Sequence, residues 1–121
     1  MGVRFDLGSE DQVLRVTFDE PLAEHMFPVL RKTFTEYYER GIRRIVVDRR
    51  NGTDLDVDAA MSFGSELGKM CSRYQAKVAV IVNDDDIMEY IVCGGAFTSG
   101  ANMITTPSER EAEQWISGQV R

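Results

Sequence analysis

The chain has 121 residues, enough for one domain with its own core and no need of metal or disulfide staples. Its 43% apolar and 28% charged content is that of an ordinary globular protein and excludes a disordered segment. A formal net charge of −6 argues against nucleic acid and anionic membranes as partners.

Neither a signal peptide nor an apolar run long enough to span a membrane is visible, so a cytoplasmic protein is expected. Cys71 and Cys93 are unclustered and sit in apolar helical contexts, which fits reduced core thiols.

Val3, Phe5 and Leu7 alternate with Arg4 and Asp6, and Leu14, Val16 and Phe18 alternate again after a short polar turn. This predicts an antiparallel hairpin at a sheet edge. Met26, Leu30, Phe34 and Tyr38 then recur every fourth residue, with Phe27 and Tyr37 widening the stripe. Pro28 predicts that this helix begins near Phe27, after a looser lead-in over Leu22–Met26, and Gly41 closes it.

Ile45-Val46-Val47 is a continuous β-branched run, suited to a central parallel strand covered on both faces. Asp48 ends it, and a polar loop with Gly52 at a sharp turn leads to Asp58 as N-cap of a helix over Ala59–Tyr74. That helix turns Phe63, Leu67, Met70, Cys71 and Tyr74 to one face. Val78–Val82 is a second buried strand, and Asp84-Asp85-Asp86 opens a short third helix that stops at Gly94-Gly95. Met103-Ile104 is a brief last strand. Thr106-Pro107-Ser108-Glu109 reads as a capping box with proline at the first helical position, and Ala112, Trp115 and Ile116 supply that helix's inner face.

The order β-β-α-β-α-β-α-β-α, with no linker or repeat over residues 1–121, is one α/β domain. It comprises a mixed sheet edged by the N-terminal hairpin, and four helices. Loops at the carboxyl ends of the strands are where a site belongs.

The layout of Val46-Val47-Asp48, polar loop and Asp58 resembles that of the STAS domains (sulfate transporter and anti-sigma factor antagonist), particularly the SpoIIAA-like branch. The ending Met103-Ile104-Thr105-Thr106, with Glu109, Glu111-Ala112 and Trp115-Ile116, is similar to that family's last strand and acidic helix. The resemblance implies a SpoIIAA-like fold and a bacterial signalling domain. It further implies a non-enzymatic module that docks a protein partner through Asp48, Arg49, Arg50, Thr53, Asp54, Asp56, Asp58 and Ala59. In anti-sigma antagonists a phosphorylatable serine follows the helix-opening Asp. Here Ala59 and Ala60 follow Asp58, so the switch is absent. Arg49, Arg50, Asp54 and Asp56 are expected to be exposed.

Two rivals follow from the residues. Asp48 with Asp84, Asp85 and Asp86 could hold a hard cation for phosphoryl transfer, although capping the third helix explains the triplet more simply. Met26, Met61, Met70, Met88 and Met103 on core faces could line an apolar pocket, which the resemblance would allow to hold a lipid-like ligand, although ordinary packing explains them more simply. His25 has no second histidine, and Cys93 has no basic neighbour to activate it. No cofactor, metal, nucleic acid or membrane span is expected, while a homodimer and an apolar ligand stay open.

Overall fold

The computed structural model describes residues 2–20, 23–51, 57–83 and 102–118, with the backbone alone at 24, 57–61 and 63. Strands β1 (Val3–Leu7) and β2 (Val13–Phe18) form the antiparallel hairpin, with Val3 opposite Phe18 and Leu7 opposite Leu14. Asp11 Oδ1 accepts from the Val13 amide in the turn between them. A single 3-10 turn over Glu24–Met26 precedes helix α1 (Phe27–Glu39), with Pro28 in its first turn, where no helical N–H is lost.

Strand β3 (Arg44–Asp48), helix α2 (Val57–Tyr74), strand β4 (Lys77–Ile81), strand β5 (Asn102–Thr106) and helix α3 (Glu109–Ser117) follow. The strands lie in sequence order in one sheet, β1-β2-β3-β4-β5, and every pairing after the hairpin is parallel. Among the described residues there are three α-helices. The stretch from Asp84 to Gly95, where a further helix was expected, lies outside them.

The two faces of the sheet are covered differently. Alternation sends Leu14, Val16, Phe18, Ile45, Val47, Val78, Val80 and Met103 to the face under α1 and α2, where they meet Met26, Leu30, Phe34, Tyr38, Leu67 and Cys71. Val13, Val46, Ala79 and Ile81 face the other way, against Ala112 and Ile116 of α3. Strands β3 and β4 are therefore apolar without a break because both of their faces are covered.

Helices α1 and α2 end alike. Ile42 N donates to Tyr37 O (3.1 Å) and Gly41 N to Tyr38 O (3.0 Å), while Ala76 N donates to Cys71 O (2.9 Å) and Gln75 N to Ser72 O (3.3 Å). Both are Schellman endings, which need a left-handed residue after the cap. Gly41 supplies it at φ +93° and Gln75 at φ +56°. Gly41 thus follows the C-cap residue, Arg40.

Two helix starts differ from the expected register. Helix α2 begins at Val57, so Asp58 stands within its first turn and not before it. Helix α3 is capped by Ser108, whose Oγ accepts from the Glu111 amide (3.1 Å). Pro107 precedes the cap, and Thr106 belongs to β5. The displaced Thr106 still serves the start: its hydroxyl accepts from Ser108 N and donates to Glu111 Oε2, both at 3.1 Å. The reciprocal arm of the capping box thus runs through a buried hydroxyl.

Candidate functional site

The carboxyl edge of the sheet brings together the ends of β3, β4 and β5 and the first turn of α3. Asp48 closes β3, and its Oδ1 accepts from the Arg50 backbone N–H (3.1 Å), a tight local turn. The Arg50 side chain folds back onto the same carboxylate, Nε to Oδ1 at 3.0 Å and NH2 to Oδ2 at 2.7 Å. That is the bidentate fork for which arginine is suited. Arg50 NH2 also reaches Glu109 Oε2 on α3 at 3.5 Å, and Asn83 Nδ2 donates to the Arg50 carbonyl at 2.8 Å. Strand β3, the end of β4 and helix α3 therefore all position one residue.

Burial pushes the Asp48 carboxyl up, but the side-chain and backbone hydrogen bonds from Arg50 and its charge outweigh this and hold it below its ordinary value. Hydrogen bonding to Asp48 raises Arg50 in turn. The Asp48 side chain retains 22% exposure and that of Arg50 36%, so the pair is held in place and still faces solvent.

Arg49 corrects the expectation of an exposed charge, since it is fully buried. Its amide donates to Ile81 O (2.9 Å), which carries the β3–β4 ladder one residue past Asp48. The two-residue alternation therefore places residue 49 with Ile45 and Val47 on the face covered by α1 and α2. There its guanidinium lies 4.9 Å from the Phe18 ring centroid, a cation–π stack at the end of β2. Arg49 belongs to the foundation of the edge, and Arg50 to its surface.

Of the other expected site residues, Thr53, Asp54 and Asp56 lie outside the described residues. Asp58 and Ala59 are placed by backbone alone, in the first turn of α2. Asp84, Asp85 and Asp86, Cys93 and Met88 also fall outside. Among the described residues no three His, Cys, Asp or Glu side chains converge as metal ligands would. His25 is exposed on the 3-10 turn.

Cys71 is buried, with its sulfur 3.6 Å from the Tyr38 hydroxyl. Burial pushes its thiol up to about 11, away from reactivity. Met26 and Met103 are core residues, as expected, and Met70 packs against that core. The hollow between α1 and α2, lined by Phe27, Leu30, Phe34, Leu67 and Met70, has a volume of only about 20 Å³.

Sequence reasoning missed Asn83 and Glu109 as supports of Arg50, because neither neighbours it in the chain. In comparisons with known proteins, no family model matches the chain, and no curated protein matches it either.

Proposed function

We propose that this chain is a non-enzymatic scaffold or regulatory domain of SpoIIAA-like (STAS-like) type, docking a protein partner through the carboxyl edge of its sheet. The observation that carries the reading is the Arg50 guanidinium, held in a bidentate pair by Asp48, braced by Glu109 and fixed at its backbone by Asn83. A cation held this way loses little conformational entropy on binding, and such charges contribute orientation and partner choice more than raw affinity. The docking surface consists of Asp48, Arg50, the loop that follows and the start of α2, with Arg49 beneath it. Ala59 and Ala60 leave no hydroxyl at the position where the resembled family is phosphorylated, so docking is constitutive.

Two further observations favour this reading over its rivals. Asp48 already spends its carboxylate on Arg50, which leaves it poorly disposed to hold a cation for phosphoryl transfer. The apolar hollow of about 20 Å³ has room for about one water. The roomier groove of about 370 Å³ beside it is lined mainly by charged side chains, Arg31, Glu39, Glu66, Lys69 and Arg73 among them, which suit no lipid-like ligand.

Capture from native cell extract tests the reading, with wild-type bait compared against Arg50→Ala. A photo-crosslinker at exposed Asn51 should trap the same partner, and one at Ser117 should not. Loss of the partner from Arg50→Ala, with circular dichroism showing the domain still folded at the temperature of the capture, is the expected result. Undiminished capture by Arg50→Ala would place the docking surface elsewhere.

A further inference from the structure

The outer edge of β1 is the place in the fold where backbone pairing groups and a charge pattern coincide. β1 ends the sheet order, so one side of it has no strand among the described residues. Antiparallel pairs alternate between hydrogen-bonded and non-hydrogen-bonded. Asp19 N donates to Gly2 O and Gly8 N to Val13 O, which sets the phase of the hairpin. Arg4 and Asp6 therefore spend their backbone groups on β2, and Val3, Phe5 and Leu7 direct their N–H and C=O off the edge. The side chains divide in the same way. Val3, Phe5 and Leu7 lie on the α1 face, whereas Arg4 and Asp6 are exposed on the other.

We propose that β1 is a self-association edge that pairs antiparallel with β1 of a second copy about a two-fold axis at Phe5. In that register Val3 stands opposite the partner's Leu7, Phe5 opposite the partner's Phe5, and Arg4 opposite the partner's Asp6. The outward backbone groups of Val3, Phe5 and Leu7 then meet as hydrogen-bonded pairs, each exchanging both bonds. Arg4 and Asp6 fall in the non-hydrogen-bonded pairs, where facing side chains come closest.

The pattern selects this register. Slipping by two residues sets Arg4 against Arg4, or Asp6 against Asp6, and a one-residue slip turns the apolar face to solvent. Charges on an edge strand ordinarily deter pairing with other chains. Here both signs are present, two residues apart, and the pair that satisfies both is the strand with itself.

Phe5 also has support at the axis. Its ring meets Phe34 edge-on at 5.7 Å and stacks on Tyr37 at 6.2 Å, so a second Phe5 would extend an existing aromatic cluster of α1 and β1. Arg4 pairs with Asp19 at 2.9 Å, with side chains 71% and 43% exposed. Exposed pairs of this kind hold their partners weakly, so the guanidinium is available to a second carboxylate.

Sedimentation velocity from micromolar to millimolar protein tests this with charge reversals. Wild type should form a dimer within that range. Arg4→Asp and Asp6→Arg each set like charges opposite one another at both symmetric positions, and should weaken self-association by roughly tenfold or more. The two variants mixed in equal amounts should associate with each other, since every facing pair is again opposite in sign. The double variant Arg4→Asp/Asp6→Arg should recover the homodimer, which separates loss of pairing from loss of folding, with circular dichroism as the check on each. A wild type that stays monomeric to millimolar concentration would overturn the proposal. So would single variants that dimerise as well as wild type, or folded variants that fail to associate when mixed.

Discussion

Burial alone would lift the Asp48 carboxyl, yet its hydrogen bonds with Arg50 hold it below the ordinary 3.8. A carboxylate whose folded value is depressed adds stability that is present above its unfolded value and is lost as pH falls through the folded one. Asp48→Asn should therefore cost stability near neutral pH, and the difference from wild type should shrink as pH drops below about 3.8. Chemical denaturation across the acid range checks this, and a difference independent of pH would mean that Asp48 contributes packing or turn geometry instead. The hydrophobic-hydrophobic-Asp ending made Asp48 legible in the sequence. Arg49 was not, because it sits between Asp48 and Arg50 in an apparent polar loop. Its burial depends on one ladder bond, Arg49 N to Ile81 O, that no local pattern announces.

Helix α3 is attached by devices spread across its length. At its start Ser108 caps the Glu111 amide, and Ser108→Ala should cost about 1 kcal/mol in unfolding free energy. Near its end Trp115 is part-buried, with Lys77 Nζ 4.5 Å from the ring centroid and donating to Trp115 O at 3.3 Å. Because the ring is not fully enclosed, Trp115→Ala should cost about 1–3 kcal/mol, less than the full penalty for a core aromatic. A cost below about 0.5 kcal/mol would mean that Ile116 and Ala112 alone hold the helix.

Between these points Arg15 of β2 grips Glu113, at 2.6 and 3.0 Å, across 98 positions of sequence. Such a pair cannot be read from periodicity. Helix α2 closes on a left-handed Gln75, where a β-carbon is strained. Gln75→Gly should stabilise the domain by roughly 0.5–1 kcal/mol, measured by the same denaturation. A loss of stability there would show that the Gln75 side chain contributes more than its backbone costs.

Across the whole molecule, what was legible followed from alternation and helical spacing. The apolar runs around Ile45 and Val78 became interior parallel strands, and of the stripe Met26, Leu30, Phe34, Tyr38 the last three became the buried face of α1, with Met26 buried on the turn before it. Cap registers were harder to read, since Thr106, Ser108 and Asp58 are all plausible caps and only tertiary pairing chooses among them. The β-branched Thr105 and Thr106 extended β5 beyond Met103-Ile104 once β4 lay alongside to pair with them. Among the described residues no helix is long and apolar enough to cross a membrane.

The same sheet that buries both cores sets Asp48, Asn83 and Glu109 around Arg50 at one edge, and the central claim is that a partner binds there. Hydrogen–deuterium exchange of the domain, with and without the partner captured from its native cells, tests this most directly. The account predicts slowed exchange at the end of β3 through residue 51, at residue 83 and across the first turn of α2, with α1 and the amino ends of the strands unchanged. Protection confined to the α1–α2 face or to β1, with the carboxyl edge exchanging as in the free domain, would contradict it.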